Sequence, residues 1–305
     1  MPPWPVHPQT KIGPLLTLLH ISDLHFGPKY HPEVGELVQE FAAELEPDVI
    51  VASGDFTQRA RSEQFRAARE YLDRLPAVPR IVTPGNHDVP LYRAHERLFS
   101  PYARYREFIS EELDSVVAVP GAVFVSLNST SPRRAIVNGR IHRWQLDFVR
   151  GAFERSDPDA VRVVVSHHHF APPPDFEGGQ VMPRAKRALD RFADCGVDLI
   201  LGGHMHRAYV GNSLDLYAGK RRDRGIVIAQ SGTTTSRRGR AREREKNTFN
   251  VVRLDGEIIR ITHYMYFEDV ARFLPTSRHI FFRGGRQKPD PAAAVKPSRS
   301  SEGAR

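Results

Sequence analysis

Gly85-Asn86-His87-Asp88 lies between the apolar run Arg80-Ile81-Val82-Thr83-Pro84 and the turn signal Val89-Pro90. The run is short, apolar and β-branched, so it reads as a buried strand, and the tetrad falls where an α/β sheet presents its chemistry. Four residues there offer a neutral amide, an imidazole and a carboxylate. In isolation such a glycine turn is as readily an Asx-type turn. Its meaning depends on whether other strands end the same way.

They do. Residues 15–21 form a short apolar run that leads into Ser22-Asp23-Leu24-His25. Residues two apart share a face of an extended chain, so Asp23 and His25 converge if extension persists beyond the strand. A second run, residues 48–53, meets Gly54-Asp55. Between these runs, residues 33–45 (Val34, Leu37, Val38, Phe41, Leu45) and 62–75 (Phe65, Ala68, Tyr71, Leu72, Leu75) carry helical periodicity and stop at Pro47 and Pro76. Three βα units in succession, each strand followed by an acid or an imidazole, predict an α/β fold with a parallel sheet.

The second half repeats the pattern. Residues 90–113 are helical in tendency and rich in aromatics and arginine; they either wall a pocket beside the tetrad, with cations for phosphate, or pack as core. Residues 116–119 and 122–127 read as a hairpin and 142–153 as a helix. The strand at 160–165 precedes Ser166-His167-His168-His169, in which only alternate imidazoles share a face, and then Pro172-Pro173-Pro174. After a helix at 183–194, the strand at 197–201 leads to Gly202-Gly203-His204-Met205-His206, where the glycines allow close backbone approach. Residues 225–230 and 247–264 read as strands around Ser231 to Ser236. This change from βα to ββ alternation predicts that the late strands build a second sheet against the first.

Composition narrows the chemistry. A chain of 305 residues with 40% hydrophobic and 26% charged residues is globular and enzyme-sized. Cys195 is the only cysteine, which excludes an intrachain disulfide and a thiolate zinc site. Any metal must rest on His, Asp and Asn. Residues 1–11 carry prolines where a signal peptide has its apolar core, and no run approaches a membrane span, so a cytoplasmic address is expected. The net charge of +8 concentrates in residues 219–246, where ten Lys/Arg face Asp223, Glu243 and Glu245. That segment is either a footprint for nucleic acid or an anionic membrane, or a solvated loop in a chain of 37 Arg and 7 Lys. The expected organisation is an N-terminal extension (1–12), one domain (13–282) and a disordered basic tail (283–305).

Asp23 with His25, Asp55, Asn86 with His87, His167, and His204 with His206 occur in this order between about Leu16 and Ser236. The set resembles the calcineurin-like metallophosphoesterase family. In the forms Gly54-Asp55-Phe56-Thr57 and Gly203-His204-Met205-His206 it is similar to the bacterial class III cyclic-nucleotide phosphodiesterases. The resemblance implies a four-layer α/β/β/α sandwich of two mixed β-sheets flanked by helices, and a pair of divalent metals. Asp23, His25 and His206 would hold one, Asn86, His167 and His204 the other, and Asp55 would bridge them. His167 is preferred to His168 and His169 as the first imidazole after its strand. Mixed oxygen and nitrogen donors suit Mn or Fe, with Zn or Co as further options, over Ca or Mg.

The resemblance also implies that His87 acts at the substrate phosphate, protonating the leaving oxygen or stabilising charge on phosphorus, with Asp88 fixing its tautomer. The expected activity is hydrolysis of a phosphodiester, a cyclic or other small nucleotide, by in-line attack of a metal-bridging hydroxide. Arg237 and Arg238 would bind its phosphate. A pyrophosphatase acting on a lipid-linked or nucleotide-sugar diphosphate is the first alternative. It draws on the apolar and aromatic residues Tyr264, Phe267, Phe273, Ile280 and Phe282 near basic ones, a candidate peripheral membrane contact. A nuclease using the basic segment and a non-enzymatic metal-binding scaffold are the others. Oligomeric state is not legible.

Overall fold

Strands β1 (Leu16–Ile21), β2 (Val49–Ala52) and β3 (Arg80–Val82) pair in parallel, because α1 (Pro32–Leu45) and α2 (Ser62–Asp73) carry the chain back to the same end each time. This computed structural model describes residues 15–133, 136–172, 181–216, 225–239 and 246–283. The N-terminal extension, Pro173 and Pro174, residues 284–305 of the tail, and residues 219–224 and 240–245 of the basic segment lie outside the described residues.

After β3 come α3 (Ala94–Phe99) and α4 (Ala103–Phe108), then β4 (Ser115–Val119), β5 (Ala122–Leu127), α5 (Arg143–Glu154), β6 (Val161–Ser166), α6 (Ala185–Asp194), β7 (Leu199–Gly202), β8 (Tyr209–Asn212) and β9 (Val227–Gln230). The chain closes with β10 (Thr248–Leu254), β11 (Ile258–Phe267) and β12 (Arg272–Phe282). One sheet runs β12-β11-β10-β1-β2-β3 and the other β4-β5-β6-β7-β9-β8. Both are mixed. Of the late strands expected in the second sheet, β9 does lie there, between β7 and β8, whereas β10 pairs antiparallel with β1 and, with β11, widens the first sheet instead. The second sheet starts at the β4–β5 hairpin.

Alternation along the strands sorts the core into three apolar layers. Leu19 and Ile21 face α1 and α2 through Val34, Val38, Phe65 and Leu72. Leu18, Val51, Val163, Leu201 and Val252 fill the space between the sheets. Val164 and Ile200 meet Val149 and Phe192 of the opposite helices. This is an α/β/β/α sandwich, with the C-terminal ends of the parallel strands of both sheets at one edge.

The segment 90–113 is not one helix. It breaks at Ser100-Pro101, where the proline cannot continue the α3 ladder. Its aromatics divide: Tyr105 is buried in the core shared with α2, whereas Tyr92 (74% exposed) and Phe99 (70%) face solvent. Arg283, expected in the tail, belongs to the fold. Its buried guanidinium donates to the carbonyls of Gly256 and Ala160 and to Asp198 Oδ2 at 3.1 Å, tying the end of β12 to the second sheet.

A polar chain crosses the inter-sheet layer just below the strand ends. Asn250 Nδ2 donates to His20 Nδ1 (3.3 Å) and to the Gln230 carbonyl (3.2 Å), so His20 carries its proton on Nε2 and donates it to Ser53 Oγ (3.0 Å). Burial lowers the His20 pKa to about 3, against the raising effect of Asp23. Unfolded, this imidazole takes a proton near pH 6.5, so the stability it lends is complete above that pH and is lost as pH falls towards 3. His20→Gln, which keeps a donor and an acceptor but no titration, is expected to flatten the fall in stability between pH 6.5 and 4 by up to about 1.4 kcal/mol per pH unit. Urea midpoints of both proteins across that range check this; equal slopes would refute it.

Candidate metal centre

The loops that leave β1, β2, β3, β6, β7 and β9 meet at the common edge. Asp23, His25, Asp55 and His206 are all buried and each places one donor atom within 4.8 Å of the others. His25 Nε2 is 2.9 Å from His206 Nε2, 3.6 Å from Asp23 Oδ1 and 3.7 Å from Asp55 Oδ2. A second group adjoins it through the same carboxylate oxygen. His167 Nε2 is 3.4 Å from Asp55 Oδ2 and 3.2 Å from Asn86 Oδ1, and His204 Nδ1 is 2.9 Å from Asn86 Oδ1. All the residues expected as ligands are thus brought together.

The donors fit cations. His25 Nδ1–H donates to the Thr57 carbonyl and His206 Nδ1–H to that of Arg238, so both Nε2 atoms present lone pairs to each other. Two lone pairs facing at 2.9 Å need a positive charge between them. His167 Nδ1–H donates to the Ser53 carbonyl in the same way (2.8 Å). Asp23 Oδ2 accepts from Ser22 Oγ and from the His204 amide, and Asp55 Oδ1 from the His87 amide. Asp23 Oδ1 and Asp55 Oδ2 remain buried with no hydrogen-bond partner, and orphaned carboxylate oxygens are costly unless a cation takes them.

Charge follows the same logic. Burial alone would raise the Asp23 carboxyl, yet the neighbouring imidazoles of His206 and His25 hold it well below the usual range. Burial pushes His25 down to about 4, leaving the neutral imidazole that a metal requires. His167 differs: burial lowers it, but the Asp55 carboxylate raises it to about 9, so without metal a proton occupies the place of a cation.

The route by which the ligands converge departs from the extended geometry expected. Asp23 (φ 52°), His25 (φ 51°), Asp55 (φ 55°), His204 (φ 75°) and His206 (φ 53°) are all left-handed. The chain therefore coils tightly after β1, β2 and β7, and glycine makes room for it. A Cβ on Gly85 would overlap the Asp55 carboxylate, and one on Gly203 would overlap Ser22 Oγ and crowd Asp23 Oδ2.

His87 lies beside this cluster, its ring edge-on to that of His25 at 4.9 Å between centroids. Its Nδ1–H donates to the Gln58 carbonyl (2.9 Å), not to Asp88. The expected Asp88–His87 contact is absent because Asp88 is buried beneath the loops, where its carboxylate accepts from the amides of Phe56, Thr57 and Gly85 and from Thr57 Oγ1. Burial and the neighbouring Asp55 charge push Asp88 up to about 7, against those amide bonds. Its work is to hold the β2 and β3 loops in register. Arg238 contributes its carbonyl to His206, and the Arg237 side chain is exposed at the rim, its amide on the Lys29 carbonyl. Of the adjacent imidazoles, His168 Nδ1 bonds Ser129 Oγ (2.8 Å), and His169 stacks 5.6 Å from His204. The residues the sequence does not reveal are Ser53, Thr57 and Gln58, which act through main-chain carbonyls and so leave no residue-type signal.

The chain is similar to known proteins. The chain is 25% identical over 244 residues to the cAMP/cGMP dual specificity phosphodiesterase of Mycobacterium tuberculosis, covering 72% of each. It is 35% identical over 83 residues to the glycerophosphodiester phosphodiesterase GpdQ of Enterobacter lignolyticus, covering 24% of this chain and 30% of that one. Among solved structures it superposes on a purple acid phosphatase from yellow lupin (Lupinus luteus) seeds with a TM-score of 0.65 at 11% identity, over 87% of this chain; it spans 54% of the lupin protein. The family model for calcineurin-like phosphoesterases matches residues 16–208, which takes in every strand-end loop described except the last, and the chain belongs to that family of hydrolases acting on phosphoester bonds.

Proposed function

We propose that the protein is a dinuclear-metal phosphodiesterase whose substrate is a cyclic or other small nucleotide. The observation that carries this reading is the single oxygen, Asp55 Oδ2, shared by two complete donor groups with His87 beside them. Asp23, His25 and His206 would hold one cation, Asn86, His167 and His204 the other, and Asp55 both; Mn or Fe suits this donor set, with Zn or Co as further options. Such a pair, when bound, supplies an activated water and a clamp on the attacking and leaving oxygens of an in-line displacement.

The chain's own residues do the rest. The carbonyls of Thr57, Ser53 and Arg238 hold the Nδ1 atoms of three imidazoles and so turn their Nε2 atoms toward the place a cation would take. The Gln58 carbonyl holds His87 Nδ1–H and leaves Nε2 as the atom facing the reaction; protonated, it donates to the leaving oxygen. Arg237, exposed at the rim, would meet a phosphate oxygen. The relation to the mycobacterial enzyme, which acts on cAMP and cGMP, favours a cyclic nucleotide, and the shorter match to GpdQ keeps a glycerophosphodiester as the second reading. Among the described residues no helix is long and apolar enough to cross a membrane.

The test is a substrate panel with Mn and with chelator: bis-p-nitrophenyl phosphate, 3′,5′- and 2′,3′-cyclic nucleotides, glycerophosphoethanolamine, a nucleotide-sugar diphosphate and single-stranded DNA. Metal-dependent turnover of a cyclic nucleotide well above the others is expected. Preference for another ester would keep the metal centre and replace the substrate. No turnover of any of them by metal-loaded protein would leave a scaffold.

A further inference from the structure

Tyr92 is a large aromatic left mostly in water in the chain that follows the Asn86–Asp88 turn, and it is not loose. The Arg59 guanidinium carbon lies 4.7 Å from the centre of its ring, covering one face. The two segments that carry this pair are stapled together by Arg93, which donates to the carbonyls of Ala60 (2.6 Å) and Arg59 (3.4 Å) and to Glu96 Oε2 (2.9 Å). Arg104 holds Glu96 in turn. Arg59 itself makes no ion pair among the described residues, so its N–H groups are free to donate. The pair is also continuous in the chain with the chemistry: Gln58, next to Arg59, is the residue whose carbonyl holds His87, and Tyr92 lies five residues after His87.

We infer that Tyr92, backed by Arg59, is the platform on which the flat ring of the substrate stacks. The inference rests on the phosphodiesterase reading above and names a purine base as the group recognised. An open aromatic face is a sequence-tolerant seat for a base, and a guanidinium behind it fixes the ring and strengthens the stack. The 74% exposure of Tyr92 leaves its second face open to such a ring, and the staple means that little ordering remains to be done on binding. Arg59 then offers its N–H groups to acceptors on the base or on the phosphate.

Calorimetry on the Mn-loaded full chain tests this with two product-like phosphates, 5′-AMP and the ring-free glycerol 3-phosphate. The wild-type protein is expected to prefer AMP, and Tyr92→Ala to weaken AMP about 10-fold, bringing the affinity ratio close to one. Tyr92→Phe, which keeps the ring, should restore the preference. Circular dichroism confirms that each variant is folded. An AMP preference unchanged in Tyr92→Ala, or no preference in the wild-type protein, would overturn the inference. Failure of the reading beneath it is seen separately: a panel in which no cyclic nucleotide turns over, with the Tyr92-dependent AMP preference intact, replaces the substrate and leaves the platform standing.

Discussion

His87→Ala is expected to keep both metals and to lose about 10²- to 10⁴-fold in kcat on a phosphodiester with an alkoxide leaving group. The imidazole stands next to the ligands without being one. Its Nδ1–H is committed to the Gln58 carbonyl, its ring meets His25 edge-on, and none of the buried orphan oxygens depends on it. Deleting it removes a proton donor rather than a metal donor. The loss should shrink on bis-p-nitrophenyl phosphate, whose leaving group departs without a proton. Metal content by mass spectrometry, with kcat on the two esters, checks both halves. If His87→Ala lost metal as readily as an Asp55 variant, or lost turnover equally on both esters, the role would be wrong.

The Asp55→Ala protein should fail earlier, at metal uptake. Oδ2 of this carboxylate faces His25 Nε2 and His167 Nε2, so its loss breaks both donor groups at once, while Oδ1 releases the amide of His87. Removing a mere hydrogen-bond partner of a metal ligand costs about 10- to 100-fold in affinity, and a shared ligand should cost more. The expected protein is folded, retains less than one metal per chain after gel filtration, and turns over no ester above background. Asp55→Ala protein that kept two metals would remove Asp55 from the bridging position.

Much of this was legible from residue types. The βα alternation, the buried runs and the acids and imidazoles at their ends follow from the 3.6 and 2.0 periodicities and from what a metal can use. Three things were not. The convergence of Asp23 with His25, and of His204 with His206, is expected from extended backbone, yet these residues are left-handed, because spacing alone does not report φ. The orienting groups of Thr57, Ser53, Gln58 and Arg238 are carbonyls, which every residue possesses. The placement of β10 beside β1 is a non-local choice: an apolar run shows that a strand is buried, not which neighbour it pairs with. Asp88 is a fourth case in smaller form, since adjacency to His87 in sequence gave no contact in space.

The left-handed ligands bear on how such a chain responds to selection. A non-glycine residue held in that region gives up roughly 1–2 kcal/mol, and Asp23, His25, Asp55, His204 and His206 all stand there. Glycine would relieve the strain at each position while deleting a donor. A library screened only for heat resistance should therefore drift towards glycine at these sites and lose the ability to bind metal, whereas one screened for turnover should hold the side chains and tolerate the lower melting point. Persistence and catalysis are thus opposed residue by residue at the rim of the strands, and a thermostabilised descendant of this protein would have to gain its margin somewhere else in the fold.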